Sequence, residues 1–170
     1  CVQFDPMNLK AWYNLGVSLG EQDRWADAEN IYVKAADLVP DTIETWHSDI
    51  WTNLGAALNA QERYEEAKPI IERAISINRE SAEAWYNLGN NHLRQGDWAK
   101  AGEAYETAIG VSSTFLKAWK GLAISQHERG DYQSAEQTYL EALRLDPADK
   151  QSWFNLSIAQ LNLAKLDEAE

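Results

Sequence analysis

The chain has 170 residues, 45% hydrophobic and 25% charged, and no run approaches the ~20 continuous apolar residues of a membrane-spanning helix, so it reads as a folded, non-membrane protein. Acidic residues outnumber basic ones 27 to 15, a formal charge of −12, and because phosphate recognition rests on Lys and Arg this excludes nucleic acid and anionic membranes as principal partners. One cysteine, Cys1, permits neither an internal disulfide nor a cysteine metal cluster, and a cytoplasmic location is the expectation.

Taken in chain order, the sequence repeats one pattern. Residues 1–6, ending in Phe4-Asp5-Pro6, have the composition of the tail of a preceding copy. Over 9–42, Trp12, Leu15 and Gly16 mark one face of a first helix, and Ala28, Tyr32 and Ala35 mark a second, closed by Pro40. Residues 43–47 are an insertion. Asp41 and Glu44 have capping-box spacing, which predicts a helix starting near Thr42 and running on through Trp51, with Ile43, Trp46 and Ile50 as one apolar stripe and Trp46 at least half buried.

The copy at 48–81 places Trp51, Leu54 and Gly55 before Ala67, Ile71 and Ala74, around a break at Gln61-Glu62-Arg63 that has no good cap; Pro69 falls inside its second helix. Over 82–115, Trp85, Leu88 and Gly89 precede the break Gln95-Gly96-Asp97, a glycine stop and an aspartate N-cap, and then Ala101, Tyr105 and Ala108. Over 116–149, Trp119 and Leu122 precede Arg129-Gly130-Asp131, Ala135, Tyr139 and Ala142. A partial copy, 150–170, begins with Trp153 and Leu156 and stops barely into its second helix, so the chain reads as a window from a longer array. The five tryptophans Trp12, Trp51, Trp85, Trp119 and Trp153 thus recur at offsets of 39, 34, 34 and 34. The unit is an antiparallel helix pair, with Gly16, Gly55, Gly89 and Ala123 small where the partner helix crosses.

The Trp-x2-Leu-Gly start, the aromatic three residues before an Ala, the Ala-x3-Tyr-x2-Ala set and the closing Pro, on a 34-residue period, resemble the tetratricopeptide repeat. The resemblance covers nearly the whole chain as one array. It implies an all-α, right-handed α-solenoid of antiparallel helix pairs. Arg79 and Ser113 depart from the pattern where Pro is usual, and Ser157 where Gly is usual. Fixed apolar positions assign Trp25, Trp98 and the five opening tryptophans to packing, which leaves Trp46 as a possible extra contact for a partner.

In proteins of this type the first helix of each copy lines a concave groove. The residue two after each tryptophan points into it: Asn14, Asn53, Asn87, Gly121 and Asn155. Side-chain amides both donate and accept, so such a row can hold an extended peptide by its backbone, although Asn is also simply common at this family position. Tyr13, Tyr86, Ile124, Phe154 and Ile158 add apolar and aromatic surface, while Lys117 and Lys120, with Arg94 nearby, make a basic spot at the gap in the Asn row. No three consecutive copies carry the basic and amide set of the family's chaperone-tail clamp, which disfavours a partner bearing that tail.

His47, His92 and His127 sit in different copies without ligand spacing, and no phosphate loop, nucleophile elbow or matched carboxylate pair is present. No metal, cofactor or catalysis is expected. The reading is a non-catalytic scaffold that binds a protein or peptide segment in its groove. The alternatives are a substrate-recruiting arm of a larger enzyme such as a glycosyltransferase, and a structural scaffold that self-assembles into homo-oligomers through open solenoid ends.

Overall fold

The computed structural model describes residues 7–40 and 42–167. Among them lie nine α-helices: α1 (Leu9–Gly20), α2 (Trp25–Asp37), α3 (Ser48–Ala60), α4 (Tyr64–Ile77), α5 (Ala82–Arg94), α6 (Trp98–Val111), α7 (Leu116–Glu128), α8 (Tyr132–Leu145) and α9 (Lys150–Asp167). Each packs against its neighbours in the chain, and α1 also touches α3, α3 touches α5, and α5 touches α7. The odd-numbered helices therefore form one layer and the even-numbered helices the other, in a right-handed all-α solenoid.

The period visible in the sequence is a period in helix register. Every marker tryptophan is the fourth residue of its odd-numbered helix. Trp85, Trp119 and Trp153 each donate an indole N–H to the carbonyl six residues back, of Arg79, Ser113 and Pro147, at 2.8–2.9 Å. A backbone carbonyl serves whatever side chain it carries, so the missing prolines at Arg79 and Ser113 leave the joint intact.

Within each pair, the second helix drives one bulky side chain onto a small residue of the first. A Cβ on Gly89 would stand 2.5 Å from the Tyr105 ring, and one on Gly16 2.5 Å from Tyr32; Ile71 closes on Gly55 in the same way. Ala28, Ala35, Ala67, Ala74, Ala101, Ala108, Ala135 and Ala142 are all 0% exposed, so the flanking positions have no room for larger side chains either.

The breaks between paired helices share a left-handed residue: Asp23 (φ 57°), Glu62 (φ 61°), Gly96 (φ 78°) and Gly130 (φ 79°). Two copies thus place a carboxylate side chain where glycine is favoured. Asp97 and Asp131 cap α6 and α8, accepting from the amides of Lys100 and Ser134. The equivalent Arg24 and Arg63 provide no side-chain cap, as the uncapped break at Gln61-Glu62-Arg63 foretells; Arg63 instead bridges Glu66 and, from the preceding copy, Glu29. Pro69 is exposed on α4, which continues to Ile77.

The insertion does not lengthen α3. Asp41 lies outside the described residues, and Glu44 is extended (φ −98°, ψ 156°), followed by a single 3-10 turn, Thr45–His47, before α3 begins at Ser48. The cause is a reciprocal cap: the Glu44 amide donates to His47 Nδ1 at 2.9 Å, and the Glu44 carboxylate accepts from the His47 backbone. That cap fixes the start at Glu44 rather than near Thr42. The expected stripe is consequently split, with Ile50 buried and Ile43 47% exposed. Trp46 is half-buried, stacks on His47 at 4.1 Å and donates to Glu44 Oε2, with the Lys10 ammonium 5.9 Å from its ring centroid.

A buried amide network ties α3 to α5. Asn91, 0% exposed, donates to Asn59 Oδ1 at 2.7 Å and to the Tyr64 carbonyl at 2.8 Å, and accepts from Gln95. Asn59 in turn donates to the Asn87 carbonyl, and Asn87 to the carbonyl of Thr52.

Two predictions follow from this packing. Gly89→Ala drives a methyl into Tyr105 and should lower unfolding free energy by about 1–3 kcal/mol, whereas Gly110→Ala, on α6 with nothing within 4 Å, should be neutral or stabilise by up to about 1 kcal/mol; urea titrations of the two variants read the difference. Asn91→Ala removes the donor to Asn59 Oδ1 and to the Tyr64 carbonyl, leaves Gln95 only the residue 91 carbonyl, and should cost about 1–3 kcal/mol, with earlier exchange of the α5 amides as its local signature.

Candidate peptide-binding groove

The layer of odd-numbered helices carries a groove of about 540 Å³ between α3, α5 and α7, with Tyr105 of α6 in its wall and Gln151 of α9 at one end. Gly121 explains its place. A Cβ at Gly121 would lie 2.6 Å from the Tyr105 ring, which fills the space that an Asn occupies in other copies. Tyr105 therefore meets two glycines, Gly89 and Gly121, and its hydroxyl donates to Asn90 Oδ1 at 2.7 Å on the groove wall. Burial pushes the Tyr105 phenol far above its ordinary pKa, so it stays a neutral donor.

Of the residues expected to bind a peptide, Tyr86, Asn87, Lys117, Lys120 and Ile124 line this groove. Ile124 also borders a second pocket of about 290 Å³, which contains Asn155, Ile158, His127, Glu128 and Tyr139. The remaining expected residues line neither. Asn53 donates to Tyr13 Oη at 3.3 Å in the first copies, Asn14 and Phe154 are exposed, and Trp46 sits on its 3-10 turn.

The Asn row is largely occupied by the fold itself. Asn87 is buried and bonded to Thr52, and Asn53 to Tyr13, while the Asn155 amide partly offsets the burial that pushes the Tyr139 phenol up to about 12. Asn59, Asn90 and Gln151 are the side-chain amides that share the groove with Asn87. Asn59 escaped the sequence reading because it is eight residues past its tryptophan, on the last turn of α3.

The electrostatics of the groove run against those of the chain. Arg94, Lys117 and Lys120 line it, and no carboxylate does. Lys120 is paired with Asp149 at 3.0 Å, an ion pair in which both side chains are mostly buried. The Asp149 carboxyl is held below its ordinary pKa first by the Ser152 hydroxyl and then by Lys120, and its other oxygen caps α9 through the Ser152 amide. The charge of Lys120 is thus balanced within the fold. Arg94 and Lys117 have no ion-pair partner among the described residues, so the unbalanced positive charge is theirs. No three His, Cys, Asp or Glu residues converge on a metal-sized site among the described residues, and no helix is long and apolar enough to cross a membrane.

Comparison with known proteins agrees with this architecture. No curated protein sequence matches the chain significantly. A crystal structure of MamA superposes with a TM-score of 0.72 at 25% identity, over 88% of this chain and 85% of MamA; a fragment of MamA from Desulfovibrio magneticus RS-1 gives 0.72 at 19% identity, over 88% and 81%. YrrB, described as having an unusual peptide-binding site, gives 0.70 at 18% identity, over 90% of this chain and 76% of YrrB. The first repeat domain of Spaghetti (RPAP3), bound to the HSP90 peptide SRMEEVD, gives 0.69 at 16% identity, over 74% and 99%. The Tetratricopeptide repeat profile matches residues 8–80, 41–112 and 80–148, and a second Tetratricopeptide repeat profile matches 138–170. With the period, the helix pairs and these matches in agreement, the chain belongs to the tetratricopeptide repeat family.

Proposed function

We propose that the chain is a protein-interaction module whose groove between α3, α5 and α7 takes an extended peptide segment of another protein, with an acidic side chain or free C-terminus set between Arg94 and Lys117. The observation that carries this reading is the charge of the groove. A chain of net charge −12 lines this groove with three cations and no acid, next to the Tyr86 ring, Leu93, Leu116 and Ile124. An isolated cationic groove on an acidic body attracts anionic groups by field as well as by contact.

The Asn90 and Gln151 amides supply groups of the kind that satisfy a peptide backbone, and the apolar lining suits its side chains. YrrB and the Spaghetti domain are described as peptide-binding proteins of the same fold, which supports the class of ligand without assigning a sequence to it. In this reading the module has no chemistry of its own and works in a reducing compartment such as the cytoplasm, where one unpaired cysteine is at home.

Selection from a displayed library of random peptides tests the reading directly. Enriched peptides should carry an Asp, a Glu or a free C-terminus. Against one such peptide, the double substitution Arg94→Ala, Lys117→Ala should weaken binding about tenfold, ~1.4 kcal/mol, and Asn14→Ala by less than about twofold. Equal, negligible losses from both would place the binding surface outside the groove.

A further inference from the structure

We propose that the second pocket, between α7, α8 and α9, receives a lysine or arginine side chain of the same bound segment, so that the groove reads an acidic group and a basic side chain in tandem. The inference rests on the peptide-binding reading above and deepens it. Ile124 is common to the two cavities, so they adjoin along α7, within reach of one extended segment. Their charges are opposite: Arg94, Lys117 and Lys120 line the first, whereas Glu128 is the one acid or permanent cation lining the second.

The shape fits the chemistry. At about 290 Å³ the pocket lies below the ~300–1,000 Å³ of cavities that enclose whole small molecules and is the scale of one long side chain. Ile124, Ile158 and the Tyr139 ring give it an apolar lining, and Tyr139 is only 2% exposed. The Glu128 side chain is half exposed. Lysine and arginine bury an alkyl stem while keeping the charged head near water, which matches an apolar lining beside a half-exposed carboxylate.

That carboxylate has no lysine or arginine partner among the described residues. Its nearest basic atom is His127 Nδ1, at 3.8 Å, beyond hydrogen-bond range. The other ring nitrogen, Nε2, is 3.1 Å from Asn162 Nδ2, where the amide donates and the imidazole accepts. Asn155 completes the lining.

The test uses short fluorescent peptides on a Gly/Ser backbone. Each carries one Asp and, one to five residues away, either lysine or norleucine, which keeps the stem and removes the charge; a parallel set replaces Asp by Asn. At the best spacing the lysine peptide should bind at least about threefold more tightly than its norleucine counterpart, the scale of one half-exposed charge pair. Glu128→Gln should abolish that preference and leave the preference for Asp over Asn, while Arg94→Ala, Lys117→Ala should do the reverse. Norleucine binding as tightly as lysine, or a lysine preference that survives Glu128→Gln, overturns the pocket assignment alone. Failure of every peptide to distinguish Asp from Asn overturns the groove reading and this inference with it.

Discussion

The contact on which the structure depends is the seating of one bulky side chain of each second helix on a small residue of the first. Tyr32 on Gly16, Ile71 on Gly55 and Tyr105 on Gly89 each occupy the space of an absent methyl group, so the two helices approach more closely than ordinary side chains allow. This fixes the crossing within a pair, and a regular crossing repeated along the chain is what creates a concave layer. Tyr105 goes further by also filling the place of a side chain at Gly121. The gap in the Asn row and the Tyr105 wall of the groove are therefore two consequences of one ring.

The same economy governs the polar groups. Asn91, Asn59 and Asn87 are satisfied through one another across two copies, and Lys120 is balanced by Asp149, which is simultaneously the cap of α9. Buried polar groups of this kind are costly unless every partner is present. They lock neighbouring copies in one register, and they leave a short list of groups with unspent capacity facing the groove, headed by Arg94 and Lys117.

What was legible in the sequence is what repeats. Trp and Leu at a 34-residue interval, the Asp97 and Asp131 caps and the crossing glycines are local signals tied to helix register, and the structure places them accordingly. The insertion differs from the sequence expectation because its capping box uses Glu44 with His47, residue types outside the usual Ser/Thr and Glu/Gln pattern, while Asp41 and Glu44 have the familiar spacing. The amide network and the Lys120 pair were invisible for a different reason. Their partners in other helices lie 27 to 35 residues apart, and in the pairing of 29 residues the acid looks like a helix cap and nothing more. Groove residues on α5 and α7 were legible from the repeat position, but which of them remain available to a ligand depends on these distant pairings.

The central claim is that this acidic solenoid presents its ligand-accepting surface on the odd-numbered helices, around an island of positive charge. The most direct measurement is a backbone amide shift map recorded while a selected acidic peptide is titrated in. The account predicts perturbations concentrated at Asn87, Asn90, Arg94, Lys117, Lys120 and Ile124, extending to Asn155 and Ile158, with the exposed faces of α2, α4 and α6 unmoved. Perturbations confined to those outer faces or to the turn at Thr45–His47, with the groove silent, would contradict it.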